Sequence, residues 1–329
     1  MRIFITGATG FIGQHLIKRL TQEGYEISVL ARHPLASNML AKGVKIITGD
    51  INRPQTFIKN LNSCQILIHL AAERSPWDPD GKIPSTNSQS LLKIITQNSQ
   101  LEHLIITSSV YAMGDLQYLP ADEKHPLAAT DIYGISKIKL EETCRQLYQK
   151  YHIPFTIIRP CIVYGPGDNK TGMVMKMVNL IRKRQFFIIG NGCNLLHLIY
   201  IDDLVEAFLH VIKQAGVNQI YIIAGAKPIQ IKSLAEIIAR ELGSDYSPLN
   251  IPKRIALLAA YIIEFIYLQG HRLWPKLFYR EPPITVMKVK TIANNWNYDI
   301  TKATKELNFS PKVNYAQGIK SLIAYLKTS

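Results

Sequence analysis

Tyr133 and Lys137 stand four residues apart, so on a helix their side chains share one face. A lysine ammonium beside a phenol favours the phenolate and brings its pKa towards the working pH. Such a pair can exchange a proton with a carbonyl or alcohol oxygen while a hydride moves at the adjoining carbon. Ser109 follows the apolar run Leu104–Ser108 and could hydrogen-bond that oxygen, holding it near the tyrosine. The spacing alone is weak, because Tyr298 and Lys302 repeat it. There Thr301 reads as a helix N-cap and Lys302 as a solvated helix residue. Tyr133 differs in lying downstream of a serine-bearing strand end and at the head of a long helix.

A hydride needs a carrier, and residues 6 to 13 offer a place for one. They read Thr-Gly-Ala-Thr-Gly-Phe-Ile-Gly, directly after the apolar run Ile3-Phe4-Ile5 and before a helix-like stretch. In this arrangement Gly7 takes up a tight turn, Gly10 lets the backbone approach a pyrophosphate, and Gly13 allows close helix–strand packing. The helix N-terminus then presents free N–H groups to the phosphates. A glycine triplet by itself often marks an ordinary turn; here its placement between strand and helix is what points to a dinucleotide.

The elements that would position these residues alternate regularly. Strand-like runs are Arg2–Thr6, Glu26–Ala31, Val44–Thr48, Gln65–Leu70, Leu104–Ser108 and Phe155–Arg159. Helical stretches between them are Gly13–Glu23, Gln55–Leu61, Ser85–Asn98 and Tyr133–Tyr151. Alternation of this kind predicts an α/β fold, a doubly wound parallel sheet with ligands at the carboxyl ends of its strands. After Gly165 the pattern becomes less regular and then mostly helical. The expected division is a nucleotide-binding unit over residues 1–165, to which 198–226 return, and a smaller discontinuous cap made of 166–197 and 227–329.

The Gly-x-x-Gly-x-x-Gly spacing, with Thr107-Ser108-Ser109 and then Tyr133-Gly134-Ile135-Ser136-Lys137, resembles the extended short-chain dehydrogenase/reductase superfamily, the epimerase/dehydratase group. That resemblance implies a Rossmann-type fold with Ser109, Tyr133 and Lys137 as the catalytic triad. It implies cofactor contacts from Gly7, Gly10, Phe11, Ile12 and Gly13. Asp50 and Ile51 resemble the adenine-contacting segment, and Leu70-Ala71-Ala72 the loop beneath the pyrophosphate. Thr107, Tyr133, Lys137, Pro160 and Val163 are implied beside the nicotinamide, and Asn194 to Asp203 resembles the family's return into the sheet. For the choice of cofactor, the second strand ends Leu30-Ala31-Arg32-His33, without the carboxylate that would bind a free ribose. Arg32 suits a 2′-phosphate, so NADP is favoured over NAD.

Within the family, dehydratases place an Asp-Glu pair immediately after the catalytic residue, for elimination of water, where this chain has Val110-Tyr111. Sugar-nucleotide enzymes usually offer an arginine to the diphosphate; the matching stretch here is Asn194-Leu195-Leu196-His197-Leu198, although Arg182, Lys183, Arg184 or Arg280 could still supply a charge. The stretch Asn194 to Asp203, with Glu281-Pro282-Pro283-Ile284-Thr285 and Tyr298 to Ala303, looks closer to the 3β-hydroxysteroid dehydrogenase branch. An oxidoreductase acting on an apolar secondary alcohol or ketone is therefore expected. The alternatives are a nucleotide-sugar epimerase and, more remotely, a non-catalytic NADP sensor.

Composition describes a globular protein. The chain has 329 residues, 47% of them hydrophobic and 19% charged, with a formal charge of +14. Lysine and arginine are scattered and not interleaved with aromatics, so nucleic acid is not expected as a partner. Cys64, Cys144, Cys161 and Cys193 lack metal-ligand spacing, which argues for thiols in a reducing compartment and against a metal site. The N-terminal apolar run is short, so no secretory leader is expected and the cytoplasm is the expected location. Residues 255–268 are almost wholly apolar with one carboxylate, Glu264, and are too short to span a bilayer. Lys253 and Arg254 precede them, and His271, Arg272, Trp274 and Lys276 follow. Three readings stand: a cap helix over the active site, an element resting on a membrane interface, and a homodimer contact.

Overall fold

The computed structural model describes residues 1–33, 40–72, 86–95, 101–168, 172–214, 216, 218–274, 277–278 and 282–328; side chains of 86–88 are outside this description. Lys276, Arg280 and Glu281 therefore lie outside the described residues. The first half alternates β1 (Arg2–Thr6), α1 (Phe11–Gln22), β2 (Glu26–Ala31), β3 (Lys45–Thr48), α2 (Ile58–Leu61), β4 (Ile66–His69), α3 (Thr86–Ile95), β5 (His103–Thr107), α4 (Ile132–Tyr151) and β6 (Phe155–Pro160). The order across the sheet is β3-β2-β1-β4-β5-β6-β11, where β11 is Gln219–Ile223, and every pairing is parallel. The strand order reverses between β1 and β4, which opens a crevice at their carboxyl ends.

The strands read as continuous apolar runs because both faces of a parallel sheet are covered. Alternate residues of β1 divide accordingly: Ile3 and Ile5 join one core, and Phe4 joins the other. On the first side α1 buries Phe11, Gly13, Leu16, Ile17 and Leu20, a helical stripe, and packs beside α6 (Ile201–Gln214). On the second side α3 and α4 pack together, with Leu91 and Leu140 in the core.

The remaining elements are β7 (Ile162–Tyr164), α5 (Met173–Arg182), β8 (Phe187–Ile189), β9 (Leu195–Leu196), β10 (Leu198–Tyr200), β12 (Ile229–Gln230), α7 (Ile231–Glu241), β13 (Leu249–Ile251), α8 (Lys253–Leu273), α9 (Val286–Ala293), α10 (Thr301–Leu307) and α11 (Tyr315–Thr328). Three differences from the sequence expectations matter. The segment from Asn194 to Asp203 does not itself rejoin the main sheet: β9 pairs with β12 and β10 with β7, and β11 makes the return. The apolar stretch 255–268 belongs to a longer helix of 21 residues, α8. Finally, Thr301 is not an N-cap. Its N–H donates to Asp299 Oδ1 at 2.7 Å, and Lys302, expected to be solvated, donates to Gln219 Oε1 at 2.8 Å over the Tyr221 ring. Buried Tyr298 fixes that turn against the molecule, so the second Tyr-x-x-x-Lys spacing is structural.

Candidate active site

The crevice between β1 and β4 is a cavity of about 420 Å³. Gly7, Gly10, Phe11, Ile12, Gly13, Arg32, Asp50, Ile51, Leu70, Ala71 and Ala72 all line it, with Thr6, Thr9, Leu30, Ala31 and Asn52. Gly7 holds φ at +75°, and a Cβ there would lie 2.6 Å from the backbone nitrogen of Ala71. A Cβ on Gly13 would lie 2.4 Å from Gly7 O, so α1 can seat on the turn only without a side chain at that position. No side chain caps α1, and its first turn holds no acidic residue. Its free N–H groups and positive dipole end therefore suit an anion at the cavity wall. This cradle fits the pyrophosphate of a dinucleotide.

Polar groups at the strand ends are tied in place. His69, at the end of β4, is buried and shares a 2.9 Å hydrogen bond between Nδ1 and Thr6 Oγ1. Burial, and then the neighbouring Lys137 charge, lower its pKa to about 3, so the ring is neutral. Thr6 Oγ1 also accepts from the Ala71 N–H at 3.4 Å, joining β1 to the loop after β4.

The second group of residues sits at the end of the next strand, β5, beside β4. Ser109 follows β5 and is buried, its Oγ accepting from the Tyr111 N–H at 3.2 Å. Tyr133 lies in the first turn of α4, whose N-cap Asp131 accepts from the Gly134 N–H at 2.9 Å. One turn further, Lys137 is 3% exposed and its Nζ lies 5.5 Å from the centre of the Tyr133 ring. That ammonium donates to Thr107 O at 2.9 Å, which anchors α4 to the end of β5. Pro160 ends β6 and Val163 lies in β7; neither lines the large cavity.

Behind this group lies a buried ion pair not singled out in the sequence. Glu141, one further turn along α4, receives Arg159 through Nε at 2.9 Å and Nη2 at 2.7 Å, and Ser108 Oγ at 2.5 Å. Glu141 and Arg159 are almost completely enclosed. The bidentate geometry clamps α4, β5 and β6 to one another. Its signal was present as the series Tyr133, Lys137, Glu141 at four-residue spacing, with an arginine inside a mostly apolar strand.

Beside Tyr133 the walls are aromatic. Its ring meets Tyr111 edge-on at 6.0 Å, and Tyr111 meets Trp296 at 6.4 Å. Burial pushes the Tyr111 hydroxyl up to about 12, so this second tyrosine stays protonated. Val110, Tyr111, Ile162, His197, Thr291, Trp296 and Tyr298 enclose a small recess. His197 there shares a 2.8 Å hydrogen bond between Nε2 and Gly225 O, and its Nδ1 accepts from the Tyr298 N–H. Burial brings its pKa to about 4, leaving it neutral and fully occupied. Arg184, one candidate anion ligand, instead pairs with Asp245 at 2.5 Å.

Residues 3–224 match the model of the NAD dependent epimerase/dehydratase family. Over 98% of its length the chain is 23% identical to a 4-hydroxy-2-methyl-3-oxo-4-farnesyl-3,4-dihydroquinoline-1-oxide ketoreductase of Stigmatella aurantiaca, covering 96% of that protein. It is 25% identical to the 3beta-hydroxysteroid-dehydrogenase/decarboxylase isoform 1 of Arabidopsis thaliana, with 97% of this chain and 78% of that one aligned. A UDP-glucuronic acid 4-epimerase from Bacillus cereus, solved in complex with NAD, has a similar fold. Its TM-score is 0.77 at 20% identity, with 100% of this chain and 99% of that one covered.

Proposed function

This chain belongs to the NAD-dependent epimerase/dehydratase family of extended short-chain dehydrogenase/reductases, and on that premise we propose that it is an NAD(P)-linked oxidoreductase acting on an apolar secondary alcohol or ketone. The observation that carries this reading is the Lys137 ammonium held over the Tyr133 ring at the end of β5. Residues 1–165 with 198–226 form the nucleotide-binding unit in this reading, and 166–197 with 227–329 the cap. When bound, the nicotinamide supplies or accepts the hydride. The chain's own residues handle the proton and the geometry. Tyr133 Oη gives a proton to the substrate oxygen in reduction and takes it back in oxidation. Lys137 stabilises the phenolate by charge and offers further N–H donors to the cofactor ribose. Ser109 Oγ orients the substrate oxygen. Gly7, Gly10, Phe11, Ile12 and Gly13 would hold the pyrophosphate, with Leu70, Ala71 and Ala72 beneath it. Asp50 and Ile51 would flank the adenine, and Thr107, Pro160 and Val163 the nicotinamide end.

The apolar substrate class is supported by the aromatic walls around Tyr133 and by the neutral, occupied state of His197. The farnesylated and steroid substrates in the names of two relatives point the same way. NADP is preferred in this reading because exposed Arg32 lines the cavity at the end of β2. Buried thiols at Cys64, Cys144 and Cys161 suit a reducing, cytoplasmic setting. Residues 255–268 are read as the membrane contact through which an apolar substrate would be met.

The test is net turnover of NADPH against a panel of apolar ketones. Stoichiometric NADPH consumption with alcohol formation is expected. An epimerase would leave NADPH unconsumed while inverting a sugar hydroxyl, and that result would replace this reading with the second one.

A further inference from the structure

We propose that α8 lies in the interface of an anionic phospholipid bilayer, its exposed apolar stripe among the upper acyl chains and its basic ends at the lipid phosphates. Ile255, Leu258, Tyr261, Ile262, Phe265 and Ile266 fall on one helical face, and each is more than half exposed. Single exposed apolar residues are ordinary, but a contiguous stripe of this kind is not. The stripe continues into Leu273 and Trp274, at 68% and 61% exposure.

Polarity on α8 is inverted relative to a surface helix in water. Its only carboxylate, Glu264, turns inward and accepts the Val286 N–H at 2.9 Å. The inward face is already filled: Ala256 and Ala260 pack with Val289 of α9, and Gly270 lies against Phe278. The outward face therefore has no remaining role within the described residues.

Charge selects the occupant. Lys253 and Arg254 occupy the first turn of α8, where the helix dipole disfavours cations and which holds no acid; Lys253 Nζ donates to Asn294 Oδ1 at 2.9 Å, with two further N–H donors on its ammonium. Arg272 stands exposed at the other end. A second copy packed stripe to stripe would set these cations against like charges, whether the helices ran parallel or antiparallel, and would offer no carboxylate in return. Lipid phosphates meet all of them with opposite charge. The formal charge of +14 adds long-range attraction to an anionic leaflet. No helix among the described residues is long and apolar enough to cross a membrane, so α8 would rest in the plane of the surface.

This deepens, and rests on, the membrane part of the reading above. Its test carries no activity readout, so its failure would leave the hydride chemistry standing. The full chain is floated with vesicles of equimolar phosphatidylglycerol and phosphatidylcholine, and with phosphatidylcholine alone. Flotation with the anionic vesicles, weakened by salt, is the expected result. Ile262→Glu combined with Phe265→Glu should abolish it while leaving circular dichroism and melting unchanged. Removing Lys253 and Arg254 should weaken binding by about fivefold per cation. Brominated acyl chains should quench the emission lost in Trp274→Phe. The proposal is overturned if the wild type stays unbound with both vesicles, or if the glutamate variant still floats. A stable dimer in sedimentation that Ile262→Glu dissociates would equally overturn it, by assigning the stripe to a second copy.

Discussion

Helices α4 and α8 are nearly equal in length, 20 and 21 residues, and treat their side chains in opposite ways. Helix α4 buries a lysine and a glutamate; α8 exposes isoleucine, leucine and phenylalanine. On α4 each buried charge is satisfied by a fixed partner: Lys137 by Thr107 O, and Glu141 by Arg159 and Ser108. Burying charge is tolerated only where such partners are already placed, and the result is a rigid frame one to two turns from Tyr133. On α8 the apolar stripe lacks any covering partner among the described residues, and in our proposal a bilayer surface supplies one. One helix acts through the position of single atoms, the other through the character of a whole face. Substitutions should therefore be punished very differently on the two.

The largest expected effect is on α4. Tyr133→Phe should lower kcat by about a thousandfold, the range of a lost general acid–base, with cofactor affinity nearly unchanged in equilibrium titration. Unaltered turnover would remove Tyr133 from the site. Next, Glu141→Ala should cost about 3–5 kcal/mol in urea unfolding, because Arg159 is left buried without its partner. Pairing it with Arg159→Met should recover part of that loss; a cost below about 1 kcal/mol for the single change would mean water enters the frame.

Acid offers a third way to probe the strand ends. His69 and His197 have folded pKa values lowered by burial, to about 3 and about 4. Below the unfolded value near 6.5, the unfolded chain takes up protons that the folded chain refuses, so stability falls as pH drops. The loss should begin near pH 6.5. For His197 it levels off near its folded value of about 4, and for His69 near about 3. Each ring contributes about 1.4 kcal/mol per pH unit inside its window. Urea melts at successive pH values measure this, and His197→Gln should reduce the slope. A flat profile would show that the rings are reached by solvent.

The smallest effect is expected on α8. Ile262→Glu alone should change unfolding stability by less than about 0.5 kcal/mol, since nothing among the described residues covers that exposed face. A larger loss would erase the contrast between the two helices.

Much of the sheet-forming first half of the chain was legible in the sequence. The runs ending at Thr6, Ala31 and Thr48 are apolar because both sheet faces are covered, and the strands fall within a residue of expectation. Gly7 and Gly13 were legible because positive φ and backbone contact leave glycine alone at those places. The residues lining the cavity followed from strand ends and from family resemblance together. The Glu141–Arg159 frame, the His69–Thr6 bond and the aromatic wall of Tyr111 and Trp296 were not seen. Their members are far apart in the chain; the four-residue spacing puts Glu141 on the face of Tyr133 and Lys137, but nothing in the type of either partner names the other.

By itself, then, the sequence determined the strand and helix periods, the turn that needs glycine, and the shared face of Tyr133 and Lys137. These are local properties, set within a few residues by backbone sterics and by side-chain spacing. Tertiary structure alone decided which charges are buried in pairs, that His197 is neutral and occupied, and that Glu264 faces inward while Ile262 and Phe265 face out. Those outcomes depend on desolvation and on contacts between distant segments, and neither exists until the chain has closed on itself.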